Sequence, residues 1–230
     1  MTFNGFQKMT LLDFPGRVAA TLFLGGCNLR CPFCHNASLV LDGKDREEYS
    51  EDEILTYLEK RRGLLDGVCV TGGEPLLRPS LPDFLRKVRA LGYAVKLDTN
   101  GTMPDRLETL LREGLVDYVA MDVKNALSRY GETVGILPFD VTPIEKSIDL
   151  LLSGTVDYEF RTTVVKELHT VEDIAALAER IRGARRYFLQ GFVDSGDLLS
   201  ENLSAVSKET MEKMRDAARV FVPAAEIRGV

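Results

Sequence analysis

Residues 22–36 read LFLGGCNLRCPFCHN, in which three cysteines with the spacing C-x3-C-x2-C follow an apolar, strand-like run. Spacings this short let the thiolates of Cys27, Cys31 and Cys34 converge on one centre. The centre could be a zinc site completed by His35, or an iron–sulfur cluster, which normally takes four cysteines. With three local cysteines, a four-iron cluster keeps one iron open to an outside group, as catalytic metal sites do. We therefore expect chemistry at this loop.

The composition is that of a globular protein without disulfides. The chain has 230 residues, of which 45% are hydrophobic and 28% charged, and it has four cysteines. A chain of this length buries a sizeable core without cross-links, and clustered cysteines indicate metal chemistry in a reducing, cytoplasmic environment. The formal net charge of −6 argues against a nucleic-acid partner. The apolar runs are much shorter than the roughly 18 residues of a transmembrane helix, so we expect no membrane partner.

Short β-branched and aromatic runs alternate with segments of helical period, a pattern typical of parallel α/β proteins. The runs predict six strands, at Arg17–Gly25, Gly67–Thr71, Ala94–Asp98, Tyr118–Val123, Tyr158–Val165 and Tyr187–Phe192. The segments predict helices near Ser50–Arg62, Ser80–Leu91, Pro104–Glu113, Pro143–Leu151, Val171–Arg182 and Lys208–Val220, with no strand after the last. Six repeats favour an incomplete (β/α)6 TIM-like barrel over a doubly wound sheet. No linker divides residues 1–230, so we expect a single domain.

The fourth cysteine, the two histidines and two polar connections are interpreted separately. Cys69 lies inside the second predicted strand and is expected to be a small buried hydrophobe. His169 is expected to be a solvated loop residue, and His35 to be a hydrogen-bonding neighbour of the cysteines. The polar connections Leu41–Tyr49 and Ser195–Ser207 are candidate lids or partner-docking loops.

The second predicted strand ends in the glycine-rich turn TGGEP. Consecutive glycines at Gly72 and Gly73 allow a ligand to approach the backbone closely, and Glu74 offers an acceptor for a cation. A turn after a strand commonly contains glycine, so a structural interpretation of this motif is equally well supported.

Charged and polar residues also mark the later strands. The third strand ends in LDTNG, with Asp98, and the fourth in MDVK, with Asp122 and Lys124. Carboxyl ends of strands are where barrel enzymes place their ligands, although such residues also form turns and surface ion pairs. Arg161 lies in the middle of the fifth strand and must be paired there, either with protein carboxylates or with a ligand. Gln190 ends the sixth strand.

The cysteine loop, with Phe33 directly before its third cysteine, resembles the cluster loop of the radical S-adenosylmethionine superfamily. GCNLRCPFCHN is most similar to the activating enzymes of glycyl radical proteins. The resemblance implies one [4Fe-4S] cluster, held by the three cysteines, whose open iron is chelated by S-adenosylmethionine. An electron then cleaves the sulfonium bond to give methionine and a 5′-deoxyadenosyl radical. The resemblance assigns the cosubstrate pocket to Phe33, Gly72, Gly73, Glu74, Asp98, Asp122, Lys124, Arg161 and Gln190, with Lys124 meeting the carboxylate.

Within this group, the stretches NGFQKMTLLDFPG and YEFRTTVV favour the anaerobic ribonucleoside-triphosphate reductase activating proteins. The resemblance implies that the substrate is a glycine of the reductase and that reduced flavodoxin or ferredoxin supplies the electron. Cys69 is the only other cysteine, so auxiliary clusters are not expected. Three alternatives remain: activation of a pyruvate formate-lyase type enzyme, a small-molecule reaction such as that of the 7-carboxy-7-deazaguanine synthases, and a non-catalytic zinc-binding module.

Overall fold

The computed structural model describes residues 1–41, 48–194 and 196–229. Most of the predicted connection Leu41–Tyr49 lies outside the described residues, as does Ser195 at the start of the second connection. Within the described part, none of the helices is both long enough and apolar enough to cross a lipid bilayer.

The secondary structure alternates between strands and helices along the chain. The strands are β1 (Thr2–Phe3), β2 (Gly5–Thr10), β3 (Ala19–Leu24), β4 (Tyr49–Ser50), β5 (Gly67–Gly72), β6 (Ala94–Thr99), β7 (Tyr118–Asp122), β8 (Asp157–Val164), β9 (Tyr187–Gly191) and β10 (Ala225–Arg228). The helices are α1 (Ala37–Val40), α2 (Glu51–Lys60), α3 (Leu81–Ala90), α4 (Pro104–Arg112), α5 (Tyr130–Thr133), α6 (Thr142–Leu152), α7 (Val171–Arg180) and α8 (Lys208–Arg219).

The main sheet of the described residues has eight strands in the order β10-β9-β8-β7-β6-β5-β3-β2. All neighbours from β3 to β10 are parallel, whereas β2 runs antiparallel to β3. The six predicted strands are all present and pair in the predicted parallel order. The predicted α/β barrel-like architecture is confirmed, with a small antiparallel pair, β1 with β4, beside it.

The prediction that no strand follows the last helix is wrong. After α8 the chain forms β10, which pairs in parallel with β9, Ala225 lying opposite Tyr187. Its sequence, AEIR, is short and half charged, so it has no recognisable strand pattern. Tertiary contacts stabilise it instead, because the Arg228 guanidinium donates to the buried Glu159 carboxylate at 3.0 and 3.2 Å.

Side chains on the two faces of the main sheet belong to two hydrophobic clusters, since successive residues of a strand point in opposite directions. One face, with the fully buried Leu22, Val70 and Leu97, packs against the helices. The other face carries a smaller cluster of Phe14, Ala19, Cys69, Tyr118 and Ala120. The prediction for Cys69 is confirmed, because its side chain is buried there.

Candidate functional site

A cavity of about 450 Å³ lies where the parallel strands end. This volume is within the range of small-molecule binding sites. All but one of the sequence-predicted site residues line it: Cys27, Cys31, Phe33, Cys34, Gly72, Gly73, Asp98, Asp122, Lys124, Arg161 and Gln190. The fold therefore brings together residues that are more than 160 positions apart in the chain.

The three thiols of the cysteine loop face this cavity together. The loop leaves β3 through Gly26, whose φ of +84° favours glycine. The Leu29 amide donates to Cys27 Sγ at 3.4 Å. Burial raises the pKa of the Cys27 thiol, and it raises that of Cys31 to about 12, so metal coordination is what would hold these groups as thiolates. Three thiols on one cavity, that of Cys31 buried and those of Cys27 and Cys34 half-buried, are a donor set that fits an iron–sulfur cluster.

The glycines of the TGGEP turn are required by the cysteine loop itself. A Cβ at Gly72 would lie 2.2 Å from the Leu24 carbonyl oxygen, and one at Gly73 would lie 2.0 Å from that of Gly26. The Gly73 amide donates to Leu24 O at 2.8 Å, and the Glu74 amide to Gly26 O at 2.9 Å. The end of β5 thus fixes the start of the loop that carries the cysteines.

Glu74 does not line the cavity, in contrast to the expectation that its carboxylate meets a cation there. The side chain is fully buried and accepts hydrogen bonds from the Leu76 amide at 2.9 Å and the Asn100 amide at 2.7 Å. The Thr99 hydroxyl donates to it at 3.0 Å. Glu74 therefore ties the end of β5 to the end of β6. Burial raises the pKa of this carboxyl to about 7.

The titration of Glu74 is expected to weaken the fold as the pH rises. Its pKa of about 7 in the folded protein is above the ordinary value of 4.5, so the folded state binds this proton more tightly than the unfolded chain does. The resulting stabilisation is complete below about pH 4.5 and is lost as the pH rises to about 7, a loss of about 3 kcal/mol at 1.36 kcal/mol per pKa unit. The free energy of unfolding from urea denaturation, determined between pH 4.5 and 8, measures this loss.

The Glu74→Gln variant is the control, because it keeps the size of the side chain and cannot titrate. We expect its free energy of unfolding to fall less over the same pH range. An equal fall in both proteins would mean that Glu74 titrates alike in the folded and unfolded states.

Five charged side chains of alternating sign, here named the ion chain, form successive ion pairs, and all of them but Lys96 line the cavity. Lys96 pairs with Asp98 on β6. Arg161 of β8 donates from Nη1 to Asp98 Oδ2 at 3.3 Å and from Nε to Asp122 Oδ1 at 2.8 Å. The Lys124 ammonium lies 2.9 Å from Asp122 Oδ2. Three cations and two carboxylates leave one net positive charge, which suits a ligand that carries a carboxylate.

The electrostatics keep the ion chain charged. Burial by itself would raise the pKa of Asp98 and Asp122, but the Arg161 guanidinium and the neighbouring lysine ammonium together outweigh it and hold both pKa values below their usual range. Burial opposes the charge on Lys124, whose pKa is nevertheless raised by Asp122. Arg161 is thus paired with protein carboxylates, which is one of the two interpretations that the sequence allowed. It also lines the cavity. Its contact with a ligand stays a prediction.

Sequence reasoning missed Asp13 at the site and misjudged the burial of His169. Asp13 lines the cavity and accepts a hydrogen bond from the Thr21 hydroxyl at 2.6 Å. It lies between β2 and β3, in a stretch for which no structure was predicted. His169 is 4% exposed, so the expectation of a solvated residue is wrong: its ring hydrogen-bonds to Lys124 O at 2.7 Å and to the Val165 amide.

His35 lines the cavity from an exposed position, with its ring 5.8 Å from that of Phe192. Among the described residues, no three His, Cys, Asp or Glu side chains converge closely enough to hold a single metal ion. The proposed hydrogen-bonding role of His35 beside the cysteines stays a prediction.

Comparisons with known proteins agree with this chemistry. The family described as the radical SAM superfamily matches residues 21–142. The Methanocaldococcus jannaschii protein whose name is "Putative glycyl-radical enzyme activating enzyme MJ1227" is 31% identical over 94% of this chain and 90% of its own length. The pyruvate formate-lyase-activating enzyme of Clostridium pasteurianum is 33% identical over 53% of this chain and 52% of its own length. The 7-carboxy-7-deazaguanine synthase of Methanopyrus kandleri is 33% identical over 48% of this chain and 51% of its own.

Solved structures share the fold at low sequence identity. Streptococcus suis SuiB bound to the precursor peptide SuiA gives a TM-score of 0.72 at 14% identity and covers 91% of this chain and 48% of its own. Escherichia coli QueE gives a TM-score of 0.55 at 17% identity, and the match covers 100% of this chain and 94% of the QueE chain. The family match covers more than half of the sequence and includes the cysteine loop, the TGGEP turn and most of the ion chain. The chain therefore belongs to the radical SAM superfamily, and its cofactors are a [4Fe-4S] cluster and S-adenosylmethionine.

Proposed function

We propose that this protein generates a glycyl radical on another protein. The observation that carries the proposal is a single cavity whose lining includes the three thiols together with four members of the ion chain. Support for a protein substrate comes from the relative that aligns with nearly the whole chain and is named as an activating enzyme.

The residues divide into two sets with different tasks. Cys27, Cys31 and Cys34 hold the cluster, which together with S-adenosylmethionine supplies a 5′-deoxyadenosyl radical when both are bound. Lys124 binds the carboxylate of the cosubstrate, since its ammonium lies at the cavity end of the ion chain. Asp98 offers its carboxylate oxygens to the cosubstrate's amino group.

The remaining pocket residues complete the enclosure of the cosubstrate. Backbone atoms of Gly72 and Gly73 reach the cavity without an intervening side chain. Arg161 and Gln190 contribute polar groups from β8 and β9, and the Phe33 ring lies beneath the Lys124 ammonium at 5.9 Å. Desolvation by these walls strengthens each charged contact.

The protein substrate we propose is an anaerobic ribonucleoside-triphosphate reductase. Two stretches that resemble this branch both reach the cavity: NGFQKMTLLDFPG contributes Asp13, and YEFRTTVV contributes Arg161. One electron, from reduced flavodoxin or ferredoxin, and one S-adenosylmethionine are consumed. A hydrogen atom passes from the glycine to the adenosyl 5′ carbon, so the products are methionine, 5′-deoxyadenosine and the glycyl radical.

A small-molecule substrate is the second candidate. The 7-carboxy-7-deazaguanine synthase of M. kandleri is as similar to this chain in percentage identity as the pyruvate formate-lyase activator is. Both of these relatives align with only about half of the chain, whereas the activating-enzyme relative spans it almost completely. We therefore place the protein-radical reaction first.

Electron paramagnetic resonance tests the proposed reaction. The reduced, cluster-loaded protein, mixed anaerobically with S-adenosylmethionine and an anaerobic ribonucleotide reductase, is expected to give the doublet of a glycyl radical. The matched control is a reductase whose radical-site glycine is replaced by alanine, which should give no doublet. A doublet on pyruvate formate-lyase and none on the reductase would change the partner. Cosubstrate cleavage without a radical on either protein would contradict the proposed function and favour a small molecule.

A further inference from the structure

The buried imidazole of His169 bridges the ends of two neighbouring strands. Its Nε2 lies 2.7 Å from Lys124 O, just after β7, and its Nδ1 lies 3.0 Å from the Val165 amide nitrogen, just after β8. Nδ1 also lies 3.2 Å from Val165 O, but the shorter contact, 2.7 Å from Nε2 to a carbonyl oxygen that can only accept, assigns the ring proton to Nε2. An amide can only donate a hydrogen bond, so Nδ1 accepts it. Both ring nitrogens are used.

Lys124 is held on several sides by this arrangement. Its amide donates to the Tyr130 hydroxyl at 3.2 Å, and its carbonyl accepts from His169. Its ammonium lies over the Phe33 ring, and that ring contacts the His169 imidazole edge-on, with 6.4 Å between centroids. His169 thus touches both the main chain of Lys124 and the ring beneath its ammonium.

A second contact reinforces the same bridge. Asn125, which is fully buried, donates from Nδ2 to Leu168 O at 3.0 Å and to the Thr133 hydroxyl at 2.8 Å. The segment after β7 and the segment after β8 are therefore joined at two adjacent residue pairs. His169 itself does not line the cavity. Its influence on a ligand must act through the residues that do.

We propose that His169 is a positioning residue for the cosubstrate. Its hydrogen bond to Lys124 O sets where the Lys124 ammonium meets the carboxylate of S-adenosylmethionine. The inference rests on the proposed role of Lys124. The inference assigns different effects to the two hydrogen bonds of the imidazole. The bond to Lys124 O governs cosubstrate affinity, and the bond to the Val165 amide governs only the local fold.

Two variants of His169 separate these links. Glutamine reaches the position of Nε2 and can still donate to Lys124 O, whereas asparagine reaches only the position of Nδ1 and can still accept from Val165. We expect His169→Asn to raise the Kd for S-adenosylmethionine about tenfold and His169→Gln to keep it within about threefold of wild type. The measurement is anaerobic calorimetry on the cluster-loaded proteins, with iron and sulfide content determined for each.

Two further variants calibrate the measurement. Lys124→Ala removes the ammonium and should raise the Kd about ten- to a hundredfold. Tyr93→Phe removes a buried hydrogen bond to Leu58 O, 2.6 Å long and outside the cavity lining, and should lower Tm without changing the Kd.

The outcomes separate this inference from the proposed function. A wild-type Kd for His169→Asn, or equal weakening in the asparagine and glutamine variants, would overturn the positioning role. An unchanged Kd for Lys124→Ala would remove Lys124 from the pocket and the inference with it. Failure to form a glycyl radical, with the expected order of the four Kd values, would contradict only the proposed substrate.

Discussion

Replacing Cys27, Cys31 or Cys34 by alanine is expected to abolish cluster assembly, because each removes one of only three thiols on the cavity. Cys69→Ala is the matched control. It removes a thiol that lies on the sheet face away from the helices, packed among apolar side chains. This variant should assemble a full cluster and lose only roughly 1 kcal/mol of stability, as ordinary substitutions do. Anaerobic iron and sulfide analysis with absorption spectroscopy distinguishes the two results.

The Cys69→Ala control also tests the assignment of the three cluster ligands. A loss of iron in Cys69→Ala, with the other three variants still loaded, would show that the ligands were wrongly chosen. The geometry argues against that result, since Cys69 pairs with Thr21 on β3 while the cluster loop begins beyond the end of that strand.

Arg161→Met is expected to destabilise the protein by about 3 kcal/mol, because it removes the cation shared by the two half-buried carboxylates and leaves each of them with a single lysine partner. The side chains of Arg161, Asp98 and Asp122 are 15%, 18% and 29% exposed, so water can screen little of their repulsion. Anaerobic urea denaturation measures the loss. The fivefold variant Lys96→Met, Asp98→Asn, Asp122→Asn, Lys124→Met, Arg161→Met should regain much of the stability, since it removes every charge of the ion chain and leaves neither a carboxylate nor an ammonium without its partner.

Cosubstrate binding distinguishes this ion chain from a purely structural one. We expect the fivefold variant to bind S-adenosylmethionine at least about tenfold more weakly, even where its stability has recovered. A fivefold variant with recovered stability and wild-type affinity would show that the ion chain serves the fold alone. A loss below about 1 kcal/mol in Arg161→Met would show that the carboxylates are not coupled through this residue.

The parallel strands were predictable because their cores are strongly apolar and helices separate them. All six predicted strands are observed, with bounds that agree within two residues. β2 and β10 were missed for a common reason. β2 has mostly exposed side chains and an irregular register with β3, and β10 is four residues long with two charges. Their pairing partners stabilise these strands, and one sequence does not show which segments will pair.

The site was predictable where a residue's role follows from its place at the end of a strand. Asp98, Asp122 and Lys124 line the cavity for that reason. Glu74 and His169 were placed incorrectly, because their surroundings depend on loops from other parts of the fold. The partners of Glu74 lie at Leu76, Thr99 and Asn100, and the ring of His169 meets a carbonyl 45 residues earlier. Distant contacts of this kind leave no periodic pattern.

The close packing of the cysteine loop against later parts of the chain ties its conformation to residues that the ribosome adds much later. Besides its bonds to β5, the loop is tied at Arg30 N to Val134 O at 2.9 Å and at Pro32 O to the Ser200 amide at 3.0 Å. These partners are synthesised long after the cysteines, so the loop gains its full set of contacts only after residue 200 has been added. In a zinc finger, metal binding drives folding. Here the loop is held by hydrogen bonds to distant segments of the polypeptide as well.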